Sequence, residues 1–427
     1  MGGLLTTWIP LALAMPARAG DGDGVTSRVA LGGDLKNFGL VTFPYENPAL
    51  EAAGLWPGDP QGQAIIDGRL KLRLDLGQTW RVDFQHAVST VVGSAFTLGT
   101  TGAAATAPEL VDLTWTVPED AQATTSTRIQ GRTDRLSVQG ELGAASFVVG
   151  RQPISFGTGL FFTPLDLVSP FFPGTIDTEY KPGVDAVRVQ VYGGLRFEQQ
   201  VVAAWVGDCV AVGVGESDRC EEWGVEDLAV ASWSRVTVGV SDIAVFLGEV
   251  HDDEVAGLSV ASAVGAVGVH GDASVTLPPG HLDGRDPTED VYVRAVVGAD
   301  WRPNADLTLS GEAYVQTNGA TDPADYLSQA MGDRYLRGEL WALGRSYVGL
   351  SAAWQVSGTV AANLAAIGNL EDGSAMLLPG LSVSVADDAD LSLGAYVGLG
   401  DRPDGLTWNS ELGFVPTTAY SRMAMYF

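Results

Sequence analysis

No stretch of the chain is apolar for the ~20 residues that a membrane-spanning helix needs, although 46% of its 427 residues are hydrophobic. Lysine is scarce, with three residues against 21 arginines, and the net charge of −28 leaves no basic surface for nucleic acid. Histidine occurs four times and cysteine twice. No Cys–His zinc spacing and no phosphate-binding glycine loop is present, so no cofactor and no metal are expected. Charged residues make up only 18%, and there are 54 glycines, which argues against both a disordered chain and a helical enzyme. Soluble cores seldom grow beyond about 250–300 residues before splitting, yet no linker-like change of composition divides this sequence.

What the chain does contain is alternation of apolar and polar residues in segments of about ten. Leu70, Leu72, Leu74 and Leu76 alternate with Arg69, Lys71, Arg73 and Asp75, and after a turn Trp80, Val82 and Phe84 alternate with Arg81, Asp83 and Gln85. Leu391, Leu393, Ala395, Val397 and Leu399 repeat the pattern near the carboxyl end. Strand side chains point to opposite faces in turn, so each segment has one oily face and one polar face.

A soluble sandwich would alternate too; the links between segments decide. The pattern predicts strands over 27–42, 64–76, 79–91, 128–142, 145–152, 183–192, 195–206, 222–233, 236–250, 254–264, 266–277, 290–301, 306–317, 333–343, 346–356, 374–386, 390–400 and 417–427. Every second link is tight, as at 77–78, 143–144, 193–194, 234–235 and 344–345. Most of the others are long and polar: 92–127, 153–182, 207–221, 278–289, 318–332 and 357–373. Short turns on one side and long loops on the other predict a single antiparallel transmembrane β-barrel. It is all-β with about 18 strands (16 is the alternative count), short periplasmic turns and long outer loops.

The ends agree with export. Leu4, Leu5, Trp8, Ile9, Leu11, Leu13 and Met15 precede Ala17-Arg18-Ala19, an A-x-A cleavage site. Residues 1–19 are therefore expected to be a signal peptide, though no Lys or Arg precedes the apolar stretch, and 20–427 the barrel. The last segment places Phe427, Met425 and Met423 on one face. This resembles the signal that barrel-assembly machinery reads in outer-membrane proteins. In an exported chain Cys209 and Cys220 read as a disulfide closing a surface loop; free thiols or a metal pair are the alternative.

The nine predicted outer loops carry 26 Asp and Glu but only Lys181, Arg219, Arg285 and Arg402, a balance of −22 out of −28. Such loops would gather cations, or divalent ions bridging to lipopolysaccharide phosphates; a salt-adapted surface is the simpler explanation and is preferred. The remaining cations fall mainly on polar strand faces. Charge on a lipid face costs roughly 2–4 kcal/mol near the midplane, so these residues are expected inside. Candidate pore-lining or constriction residues are Arg69, Arg73, Arg81, Arg151, Asp166, Arg188, Arg196, Arg294, Glu312 and Arg337. A hydrated pore and an internal salt-bridge plug both fit that list.

Segment 153–182 is unlike a solvated loop. Phe156, Leu160, Phe161, Phe162, Leu165, Leu167, Val168, Phe171 and Phe172 crowd together with three prolines. So much apolar surface must fold into the lumen, cover the barrel rim or face another subunit. As the third outer loop, the segment resembles in position the loop that folds inward in general porins, which implies an inward fold. Its flanks, Gly150-Arg151-Gln152, Gly157-Thr158-Gly159 and Gly183-Val184-Asp185-Ala186-Val187-Arg188, resemble a pattern of porin-like outer-membrane proteins of unassigned function. They are distantly similar to the alginate-export barrels. The resemblance covers about forty residues and implies that Arg151 and Arg188 lie near a constriction opposite Asp166 or Asp185. The mixed charge of the lumen differs from the densely cationic lumen of alginate exporters.

The function expected is passive diffusion of small hydrophilic or charged solutes, not enzymatic activity. Two alternatives stand beside it: an enzyme at the rim around His251 or His270, and an adhesion barrel with a plugged lumen. His86 and Ser89 fall on opposite strand faces and do not make a nucleophile–base pair. The expected partners are outer-membrane lipid and lipopolysaccharide, the assembly machinery and small solutes; a homo-oligomer is compatible with all of this.

Overall fold

A computed structural model describes residues 27–52, 56–93, 113–118, 127–168, 179–206, 227–282 and 289–427, apart from 337 and 341. The proposed signal peptide, Cys209, Cys220 and Arg337 lie outside the described residues. Nineteen strands form one antiparallel sheet. In chain order they are β1 (Ser27–Phe43), β2 (Gln61–Leu76), β3 (Trp80–Gly93), β4 (Trp115–Val117), β5 (Thr127–Leu142), β6 (Ala145–Gln152), β7 (Val184–Tyr192), β8 (Phe197–Trp205), β9 (Leu228–Val238) and β10 (Ser241–Val250). They continue as β11 (Asp253–Val264), β12 (Val267–Leu277), β13 (Tyr292–Trp301), β14 (Leu307–Gln316), β15 (Ser346–Gln355), β16 (Val360–Asn369), β17 (Ala375–Ala386), β18 (Ala389–Leu399) and β19 (Thr417–Tyr426). The three-residue β4 pairs only with β5, while β3 pairs directly with β5. The wall is thus a closed antiparallel ring of eighteen strands.

Closure is made by β1, which pairs with β2 on one edge and β19 on the other. Phe427 extends that last ladder, donating its N–H to Gly33 O at 3.0 Å and accepting the Gly33 N–H at 2.9 Å. Its ring lies over Gly33, where a Cβ would come within 2.6 Å of the ring. Only glycine permits that approach. The terminal aromatic therefore covers a bare point in the seam.

The alternation is realised with the oily side outward. Leu70, Leu72 and Leu393 are 46%, 37% and 47% exposed, whereas Arg69 is 6% exposed and points inward. An exterior of this kind suits hydrocarbon, and the closed ladder pairs the strand backbones around the ring. The short links fall at 77–79, 143–144, 193–196, 239–240, 265–266, 302–306, 356–359 and 387–388. On the opposite side the links are long, except at 251–252 and 370–374. At the former, His251 and Asp252 both have positive φ, 53° and 62°, as a two-residue turn of the I′ type requires.

Among the described residues one expected strand is absent, and one strand lies where a loop is expected. Residues 333–343 begin with a short helix (Asp333–Leu336) and continue as loop, so the link before β15 runs from 317 to 345. The expected loop 357–373 contains β16. Its sequence, Val360-Ala-Ala-Asn-Leu-Ala-Ala-Ile-Gly-Asn369, has alanine at four of ten positions, on both faces, and is too even in polarity to display alternation. One lost strand and one gained leave the count at eighteen. The hairpin expected to turn at 234–235 turns instead at 239–240, where Gly239 has φ 65°; Ser234 and Arg235 are strand residues.

Leu258 lies at the middle of β11 and is 48% exposed. Leu258→Arg is expected to destabilise the folded barrel in lipid vesicles by about 2–4 kcal/mol. Denaturant titration in vesicles checks this, and no loss would mean that this face does not meet lipid.

Candidate functional site

The link between β6 and β7 enters the barrel. Ile154, Phe156, Leu165, Leu167 and Val168 pack on the inner faces of β7 to β11, against Val184, Ala186, Val202, Ala204, Ala229 and Phe246. Phe162 joins a second cluster with Val296, Tyr314, Tyr347, Ile367 and Met376 on β13 to β17, stacking on Tyr314 with ring centres 4.8 Å apart. The wall leaves room for these side chains. A Cβ on Gly257 would collide with Leu165, and one on Gly349 would lie 2.7 Å from the Phe161 ring.

A loop segment buried inside a barrel has no strand partner, so its amides need other acceptors. Two carboxylates from the wall supply them. Asp272 on β12 accepts the Thr158 N–H at 2.7 Å, the Thr158 hydroxyl at 2.9 Å and the Gly159 N–H at 3.0 Å. Glu312 on β14 accepts the next three amides: Leu160 at 2.5 Å, Phe161 at 2.9 Å and Phe162 at 3.1 Å. Both side chains are nearly inaccessible. Five consecutive N–H groups thus form an anion-binding concavity around two charges. His270 of β12 adds a contact from Nε2 to Glu312 at 2.8 Å and sits 3.3 Å from Asp300 through Nδ1.

The returning arm docks across the lumen. Tyr180 inserts among cations of β1 and β2, with Arg69, Lys71 and Lys36 at 4.1, 4.5 and 4.6 Å from its ring centre. Its hydroxyl donates to Asp34 at 3.0 Å. Glu179 pairs with Lys36 at 2.8 Å and with Arg422 at 3.2 Å. Lys181 ties the two arms together, donating to Ile154 O and to Asp166, both at 2.5 Å. Burial raises the Asp166 carboxyl to about 6 despite that ammonium, and lowers Lys181 in turn. Strands β2 and β12 are nine places apart in the ring of eighteen. The loop therefore contacts opposite walls and braces the lumen like a strut.

The candidate residues fall into distinct groups. Arg73 and Arg81 face the lumen with side chains 51% and 43% exposed, near Asp83 (3.6 Å) and Asp75 (2.7 Å). Arg188 is half-buried on the inner face of β7. Arg69 is covered by Tyr180 and paired with Asp134 at 2.6 Å, where a bulge in β5 turns that carboxylate inward. Arg294 is 3% exposed and Asp166 is 7% exposed, so neither lines open space. Arg196 is in the exposed turn before β8 rather than in the wall. Arg151 shares the outward parity of Val149 and holds Asp185 through Nε and Nη2 at 3.0 and 2.8 Å. It pins the rim beside the loop instead of facing a constriction. Glu312 is an anchor of the strut. Sequence reading missed Asp272 and Tyr180, although an Asp on the inner parity of β12 was a legible signal.

Charge is uneven around the wall. Arg69, Lys71, Arg73, Arg81, Arg135 and Arg188 stand on β2 to β7 among Asp75, Asp83, Asp134 and Glu141, while Glu198, Asp242, Asp272, Asp300 and Glu312 stand on β8 to β14 with Arg235 and Arg294. Above the strut a second buried network fastens the outer loops. Glu411 accepts the Leu343 N–H at 2.9 Å, the Asn369 amide at 2.6 Å and the Tyr347 hydroxyl. Among the described residues no cluster of His, Cys, Asp and Glu is arranged to hold a metal. His270 is inside the barrel rather than at its rim, and Asp253, beside His251, is engaged by Arg334.

An eighteen-strand barrel with an inward loop between its fifth and sixth wall strands is porin-like. Solved outer-membrane structures share the fold. Acinetobacter baumannii OccAB2 is similar with a TM-score of 0.57 and 8% identity, over 93% of this chain and 98% of that one. Pseudomonas aeruginosa OpdK, solved with vanillate, gives 0.55 and 9% over 93% and 98%. Pseudomonas aeruginosa OccK5 (OpdH) gives 0.54 and 7% over 93% and 97%. No family model and no curated protein matches the sequence.

Glu312→Ala would leave three loop amides without their acceptor, at about 1–3 kcal/mol for each that stays buried. The strut is expected to detach, seen as faster proteolysis within 153–183 while the barrel stays intact; unchanged protection would remove Glu312 as an anchor. Burial raises the Glu411 carboxyl to about 7, against hydrogen bonds that hold it down. Its folded value lies above the unfolded one, about 4.5, so the favourable contribution is complete below that pH and is lost as pH rises through 7. Glu411→Gln is expected to raise the melting temperature at pH 8 and leave it nearly unchanged at pH 5; equal shifts at both would exclude the titration.

Proposed function

We propose that this protein is a channel of the bacterial outer membrane through which small hydrophilic or charged solutes diffuse passively. The observation that carries the reading is the strut: an apolar loop folded into the lumen, anchored at opposite walls, with Ser155, Thr158 and Leu160 left exposed at its surface. A barrel whose only task was structural would gain nothing from shaping an interior in this way. An excess of cations on one arc and of carboxylates on the other gives a transverse field that orients a dipolar solute as it passes. The acidic outer loops raise the local concentration of cations at the mouth. Divalent ions held there would also bridge to lipopolysaccharide, and the strand ending at Phe427 would serve the assembly machinery. Catalysis is not part of the proposal: His270 is held between two carboxylates, and among the described residues no nucleophilic side chain is hydrogen-bonded to it.

The refolded protein in planar bilayers is expected to show discrete conductance steps, with reversal potentials in a salt gradient on the cation-selective side. Deleting residues 156–172 is expected to raise the step size. A silent bilayer, from protein that is demonstrably folded and inserted, would overturn the channel reading.

A further inference from the structure

Beneath the strut, on the side of the short turns, the lumen wall holds a recess of about 310 Å³ between loop residues 155–158 and strands β8 to β11. That volume is at the small end of ligand sites. The recess exists because the wall is cut back: Ala244, Ser259 and Ala261 stand where larger side chains would fill it. Trp233 forms one side and is buttressed by Phe156, ring centres 5.7 Å apart. Glu198, Gln200, Arg235 and Asp242 form the polar side.

We propose that this recess binds a single neutral sugar ring or a polyol of that size. The inference rests on the channel reading, since a solute reaches the recess only through the lumen. An indole face accepts the apolar C–H face of a pyranose. Around it the wall offers donors in Arg235 and Gln200 and acceptors in Glu198 and Asp242, which suits hydroxyl groups that both donate and accept. The charges already answer one another. Arg235 pairs with Glu198 and lies 3.9 Å from Asp242. Gln190 donates to Glu198 at 3.0 Å, and the Thr237 hydroxyl donates to Asp242 at 2.5 Å. An organic cation would have to sit beside the guanidinium that occupies the space between the two carboxylates, and an anion would meet those carboxylates. A neutral ligand meets neither opposition.

The test uses the full chain in planar bilayers with D-glucose added at millimolar concentrations, and calorimetric titration of the detergent-solubilised protein. Glucose is expected to reduce the ion current in a saturable way. Ala244→Leu, which fills the recess without altering charge, is expected to raise the half-blocking concentration at least tenfold; Trp233→Leu should do the same where the first variant does not insert. Normal conductance without a glucose effect, and no calorimetric binding, would overturn the sugar site and leave the channel standing. Block by L-lysine but not by glucose would overturn it in favour of a cation site. Calorimetric binding of glucose, weakened by A244L, in a protein that never conducts would keep the site and remove the channel.

Discussion

A polypeptide backbone can enter the middle of a barrel only if something accepts its hydrogen bonds. Water does this in a wide pore; here two wall carboxylates do it. Asp272 and Glu312 are removed from solvent, which is costly for an isolated charge and is offset when several donors converge on it. Five successive amides converge. The exchange is mutual: the loop needs acceptors, the carboxylates need donors, and neither is satisfied without the other. The register of the loop follows from this, because a shift by one residue would break the whole set. Packing of Phe161 and Leu165 against Gly349 and Gly257 of the wall then fills space around a position that the hydrogen bonds have already fixed.

The opposite anchor works by a different chemistry. On β1 and β2 the wall presents ammonium and guanidinium groups, and the loop answers with an aromatic ring and one carboxylate. A tyrosine among three cations reduces their mutual repulsion through its π face while its hydroxyl bonds to Asp34. The carboxylates of one wall and the cations of the other are thus each met by loop groups that suit their charge. Much of the charge assigned to a pore lining on alternation alone is consumed in holding the strut. What remains in contact with lumen space, notably Arg73, Arg81, Arg235 and Asp242, belongs to the half nearer the short turns.

The architecture was largely legible because membrane barrels write their faces into the chain with period two. Leu70 to Leu76 and Leu391 to Leu399 display it, and the asymmetry of link lengths separated a barrel from a sandwich. Failures came where that contrast is weak. In β16 alanine occupies both faces, so neither looks oily. In 333–343 a short amphipathic helix imitates alternation over a few residues. Ser234 and Arg235 read as a turn because they are adjacent and polar, although one points outward and the other into the lumen. That the loop is buried was visible in its phenylalanines; that it turns inward was implied only by its place as the third outer loop, as in general porins. Its partners were not visible. Whether an inward Arg lines water or is capped by a tyrosine depends on contacts 100 or more residues away, as Lys71 and Tyr180 illustrate, and no local pattern encodes that.

Arg151 shows why a motif can mark a structure without marking a function. The Gly-Arg-Gln end of β6 and the Val-Asp-Ala-Val-Arg start of β7 flank the inward loop, so proximity to a constriction is a natural inference. Yet residues 151 and 185 are directly opposed in the ladder, on the parity of outward-facing Val149 and Val187. A bidentate guanidinium–carboxylate pair across two strands, with a third bond to Thr133 O at 3.1 Å, clamps the point where the chain leaves the wall and returns to it. The strut needs both ends of its span fixed at the same height on the rim, and this pair does that from outside the lumen. That geometry serves any solute alike, so the motif bears on the fold and not on the substrate.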